Sequence, residues 1–133
     1  MNEGQLELVA LVATGGAIGS VARYGLSGLL SRGDFPWGTF AVNLTGTFFL
    51  AFLYFLSLGR GLLSSNVRTF LFVGFFGGYT TFSTFGLETV NLARGGSPTL
   101  ALWNFILNAG FCVLGAFLGA LVGLWMGGAS EWS

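Results

Sequence analysis

An all-α membrane protein built on four transmembrane helices is the fold class this sequence predicts, and three observations carry it. Of its 133 residues 53% are hydrophobic and only 8% are charged, against about 25% charge in an ordinary soluble domain. Mean hydropathy is +0.79. Four apolar stretches each reach the roughly 20 residues that cross a bilayer, and the breaks between them are too short to hold a second domain. Residues 1–133 therefore read as one compact transmembrane unit.

The first stretch, 6–30, ends at Ser31-Arg32-Gly33-Asp34. The residues before it, Met1 to Gln5, lack the positive start of a signal peptide, so the stretch reads as retained. The second, 37–58, ends at Gly59-Arg60-Gly61. The third, 67–93, ends at Arg94-Gly95-Gly96-Ser97-Pro98, and the fourth covers 99–126. Trp37, Tyr54, Trp103, Trp125 and Trp132 fall near segment ends, where an aromatic belt places them. Small residues recur at i, i+4 in Gly15 and Gly19, in Gly74 and Gly78, and in the row Gly115, Gly119, Gly123 and Gly127. That spacing lets helix backbones approach closely in lipid, within one chain or between two.

Five basic and five acidic residues cancel, with no basic patch for nucleic acid. A single cysteine and no histidine exclude a disulfide framework, a Cys/His metal site and any histidine-based catalytic pair, so an enzyme is not expected. The loops show almost no charge asymmetry: Arg60 and Arg68 lie on one side, Arg32 and Arg94 on the other. Two explanations fit, a small protein with few charges or insertion in both orientations.

Polar residues at membrane depth mark function or helix-to-helix hydrogen bonding. The third stretch contains Gly77-Gly78-Tyr79-Thr80-Thr81-Phe82-Ser83-Thr84-Phe85, and its glycine pair followed by hydroxyl residues predicts a broken helix. Carbonyls freed at such a break suit a hard cation. Phe82 and Phe85 share a helix face, where they serve as packing or present positive ring edges to an anion. Asn43 offers an uncharged NH2 donor. Asn104, Asn108 and Cys112 form an i, i+4, i+8 stripe, and Thr39 and Ser83 extend the same lining. Arg23 lies about 26 Å along the first helix at ~1.5 Å per residue, where it either snorkels to the interface or makes a vestibule electropositive. Glu88 lies toward the end of the third stretch, its partner not readable from sequence. The lining is neutral, aromatic and donor-rich, which suits a small anion.

The same residues resemble the Fluc fluoride channels, the camphor-resistance B family. The resemblance runs from Gly15-Gly16-Ala17-Ile18-Gly19 and Arg23-Tyr24 through Pro36-Trp37-Gly38-Thr39 and Asn43. It centres on Gly77 to Phe85 and ends at Glu88. It implies passive, selective fluoride export that relieves cytoplasmic fluoride toxicity, in the inner or plasma membrane of a prokaryote. It further implies an antiparallel, dual-topology homodimer with two pores. A central structural Na+ would be held by the backbone carbonyls of Gly77 and Thr80 of both chains. The pore phenylalanines fall on Phe82 and Phe85, the pore asparagine on Asn43 and the vestibule arginine on Arg23. Along the last helix the family often has Tyr, Ser or Thr where this chain has Asn104, Asn108 and Cys112, and a one-residue slip would substitute Trp103 and Leu107. The polar stripe favours the asparagine register. Two other readings remain: a small multidrug-resistance-type antiporter, which needs a deep carboxylate where this chain has only Glu7 at the start of its first helix, and a non-transporting membrane scaffold.

Overall fold

The computed structural model describes residues 2–128, with backbone alone at 59 and 60. Trp132 and the C-terminal tail, which the belt and the charge count invoked, lie outside the described residues. Among the described residues four helices are long and apolar enough to cross a membrane: Glu3–Leu30, Trp37–Leu58, Ser65–Arg94 and Pro98–Gly127. This is a multi-pass membrane protein, all-helical, with its third crossing broken.

Helix α1 (Glu3–Leu30) begins in a reciprocal cap, where Asn2 accepts from the Gln5 amide and Gln5 accepts from the Asn2 amide. Helix α2 (Trp37–Arg60) follows Pro36 and stops at Gly61, whose φ of 59° closes the helix in the left-handed region. The third crossing divides into α3 (65–79) and α4 (Phe82–Arg94). The fourth, α5 (Pro98–Gly127), starts with proline at its first position, where no backbone N–H is needed.

Two helix pairs make up the fold. α1 lies on α3, and α2 lies along the second half of α5, while α4 packs on the start of α5. The glycine rows are the seams of those pairs, so the chain uses them internally. A Cβ at Gly15 would stand 2.5 Å from the Phe70 carbonyl, one at Gly78 2.5 Å from that of Gly16, and one at Gly123 2.5 Å from that of Phe52. Backbone meets backbone there, and close packing replaces the hydrophobic drive that lipid removes.

The break falls one step beyond the glycine pair. Gly78 stays helical because its missing side chain lets the backbone meet Gly16 of α1, and Gly77 stays helical beside it with open space around it. The chain opens instead at Thr80 (φ −82°, ψ 157°) and Thr81 (φ −150°, ψ 113°). Both are β-branched and favour extended backbone, and Thr81 then caps α4 by accepting from the Thr84 amide at 3.2 Å. Two further irregularities are π-helical stretches, Thr69–Phe75 in α3 and Ile106–Phe111 in α5. The Cys112 amide bonds to Leu107, five residues back, which marks the wider turn around Asn108.

Candidate functional site

An extended pair of residues inside a membrane helix leaves backbone groups that the apolar surroundings cannot satisfy. One side chain from α2 closes that gap. Asn43 Oδ1 accepts from the Thr81 amide at 2.8 Å, and Asn43 Nδ2 donates to the Thr81 carbonyl at 3.1 Å. The Asn43 carboxamide thus stands in for a missing stretch of backbone ladder. Its second N–H donates to Asn108 Oδ1 at 2.8 Å. Asn108 in turn donates to Asn104, and Asn104 to Thr89 Oγ1 at 2.9 Å. Helices α2, α4 and α5 are joined by this one polar chain, together with the break at Thr81.

Beside it lies a cleft of about 670 Å³ between α2 and α5. Asn43, Thr80, Phe82, Phe85, Asn108 and Cys112 line it, with Thr47 one turn below Asn43, and none of its lining residues is ionisable apart from the Cys112 thiol. Phe82 and Phe85 meet edge to face at 5.3 Å and 72°, the arrangement their quadrupoles favour. Their exposures are opposite: Phe85 is 5% exposed and Phe82 82%. The 13-residue helix α4 starts at this spot, so its positive N-terminal end lies beside the rings.

A second region lies toward the loop end. Arg23 Nη1 donates to the Thr80 carbonyl at 3.4 Å, so the guanidinium turns inward to the break. With Ser20, Thr39, Thr81 and Thr84 it lines a cavity of about 340 Å³. Thr39 is buried and donates to Glu88 Oε1 at 2.7 Å, which supplies the partner that sequence left open. Among the described residues Glu88 Oε2 is buried without a hydrogen-bond partner. Glu88 also borders a mouth of about 480 Å³ with Ser31, Asp34, Asn91 and Ser97.

The expected residues thus divide. Asn43, Phe82, Phe85, Asn108 and Cys112 share one cleft, while Arg23, Thr39 and Glu88 gather beyond the break. Asn104 is fully buried and lines neither. Ser83 is exposed and reaches only the Thr81 hydroxyl, at 3.3 Å. The asparagine face of α5 points inward, whereas Trp103 is exposed. Three residues were missed: Thr81, Thr89 and Thr47. Thr47 sits at i+4 from Asn43 and donates to the Cys112 carbonyl at 3.1 Å. The i, i+4 rule that found Asn108 from Asn104 applied equally to Asn43 and Thr47.

The sequence pattern of the CrcB-like protein family, Camphor Resistance (CrcB), matches residues 10–120. The chain belongs to the CrcB family. Within it, a protein of Magnetococcus marinus named fluoride-specific ion channel FluC is 48% identical over 119 residues, covering 86% of this chain and 96% of that one. A protein of the same name from Methylobacterium radiotolerans is 45% identical over 127 residues, covering 91% and 88%. One from Coxiella burnetii is 44% identical over 121 residues, covering 86% and 96%. CrcB membership also separates the chain from the small multidrug-resistance antiporters.

Proposed function

We propose that this chain is a passive, fluoride-selective channel that relieves fluoride toxicity in a prokaryotic cell membrane, acting as an antiparallel, dual-topology homodimer with two pores. The observation that carries the reading is the pairing of Phe82 and Phe85 with Asn43 around a cleft without charged side chains. A small anion entering such a cleft exchanges water for N–H groups, the positive end of α4 and positive ring edges. No fixed positive charge holds it there, so it can also leave, which conduction requires. Arg23 raises the local anion concentration before entry. The relatives' shared name supports fluoride as the ion.

Pairing of two copies is supported by Phe82, a large aromatic 82% exposed at the open side of the cleft, and by the near-equal loop charges. A central sodium ion fits the break. The Thr81 amide, four residues beyond Gly77 and its ordinary helical partner, is diverted to Asn43, which releases the Gly77 carbonyl. Extended Thr80 turns its own carbonyl out of the ladder. Carbonyl oxygens are hard ligands, and such an ion would supply positive charge at the centre of the pair. It would also compete with Arg23 for the Thr80 oxygen.

Expression in a bacterium stripped of its own fluoride exporter tests the proposal. The chain should restore growth in fluoride, and Phe82→Ile or Phe85→Ile should not, because an aliphatic side chain has no polarised edge. Sensitivity unchanged by chain present in the membrane would contradict it.

A further inference from the structure

The amide chain through Asn43 runs in one direction, and backbone groups fix both ends. The Thr81 amide can only donate, so it sets Asn43 Oδ1 toward itself at 2.8 Å. The Asn43 NH2 then has two hydrogens, and both are committed, to the Thr81 carbonyl and to Asn108 Oδ1. Asn108 Nδ2 lies 3.1 Å from the Asn104 carbonyl and 2.9 Å from Asn104 Oδ1. Reversing the Asn108 amide would set oxygen against the Asn104 carbonyl, which can only accept. Asn104 is itself held through its own NH2 by Thr89 Oγ1 and the Phe85 carbonyl. With Asn43 8% exposed and Asn108 7%, little water competes.

Two consequences follow. Asn108 turns an acceptor, not a donor, toward Asn43 and the cleft both residues line. And Asn43 has no free N–H for an anion until one of its acceptors withdraws. The Thr81 carbonyl is backbone at the break, and Thr81 is tied to Asn43 through both its carbonyl and its amide. Asn108 Oδ1 belongs to a rotatable side chain at the wider π-helical turn of α5, so it is the acceptor able to move.

We propose that Asn108 is a positioning residue that competes with the permeant ion: its carboxamide oxygen holds the place on Asn43 Nδ2 that the anion takes, and the anion enters by displacing it. The proposal rests on the fluoride-channel reading above. It differs in sign from a role for Asn108 as a ligand. A ligand's loss weakens ion binding, whereas a competitor's loss strengthens it.

The test is the initial fluoride efflux rate from proteoliposomes as a function of internal fluoride, for the unmodified chain, Asn108→Ala and Asn108→Ser. Removing the competing oxygen should lower the half-saturating fluoride concentration about threefold to tenfold, the net worth of one hydrogen bond. The Asn108→Ser hydroxyl is too short to reach Asn43, so that variant should shift the same way and serves if the alanine variant does not fold. A half-saturating concentration unchanged or raised overturns the proposal. In the unmodified chain carrying 15N-asparagine, saturating fluoride should move the side-chain amide resonances of both Asn43 and Asn108. An Asn108 resonance that stays in place contradicts displacement, whatever the variants do. An unmodified chain that carries no fluoride overturns the channel reading itself. One that conducts while Asn108 behaves as a ligand overturns only the competitor.

Discussion

At Asn43 one carboxamide both repairs a broken helix and faces the cleft, so a single substitution there reads out two properties. Asn43→Asp keeps an oxygen for the Thr81 amide but sets its second oxygen against the Thr81 carbonyl and Asn108 Oδ1. Stability should fall by about 1–3 kcal/mol, the cost of leaving buried polar groups unsatisfied, and fluoride flux should fall with it; thermal melting and efflux measure the two. Unaltered melting would mean the break does not depend on this side chain. Phe82→Ile and Phe85→Ile should both suppress flux, but only Phe85→Ile, replacing a ring 5% exposed, should lower the melting temperature of the folded chain appreciably. Much of this was legible in the residue pattern, because Asn104, Asn108 and Cys112 repeat at helical spacing and asparagine is costly in lipid. Thr81 was not, since a run of four hydroxyl residues does not reveal which one leaves the helix. The partner of Glu88 was not either, because Thr39 is 49 residues away in sequence.

Among the elements, the third crossing shows where pattern and packing part company. Glycine pairs favour breaks in isolation, yet here Gly78 remains helical to meet Gly16 and the threonines open the chain. The long fourth helix looked regular in sequence, and nothing in its residues announced the π-helical turn at Ile106–Phe111; that turn depends on what Asn104 and Asn108 find across the helix interface. The seams, by contrast, were visible as i, i+4 glycines, although sequence could not assign them to one chain or two. Gly119→Val would drive a side chain into the Phe48 carbonyl on α2. It should cost about 1–3 kcal/mol or more through overpacking, read as a lower melting temperature. Gly28→Ala, with nothing within 4 Å of its Cβ, should cost nothing. Equal melting of the two variants would argue that α2 and α5 do not meet as described.

For the whole molecule, the four apolar crossings were set by composition and segment length alone, and the broken third crossing by its polar run. The proposed pairing of two copies rests on an exposed Phe82 ring and a balance of loop arginines. If both orientations are required, then Leu62→Arg with Leu63→Arg, which load the second loop, should fix one orientation and abolish flux. Co-expression with a Thr99→Arg variant biased the other way should restore it. Full flux from the loop variant alone would rule out an antiparallel pair.

The central claim is that this neutral, aromatic cleft, with the Asn43 carboxamide in its lining, conducts fluoride. Proteoliposomes loaded with fluoride or with chloride, with valinomycin to carry potassium and ion-selective electrodes to record efflux, test it most directly. The account predicts fast fluoride loss and negligible chloride loss. Retention of fluoride by liposomes holding folded protein, or equal loss of both anions, would contradict it.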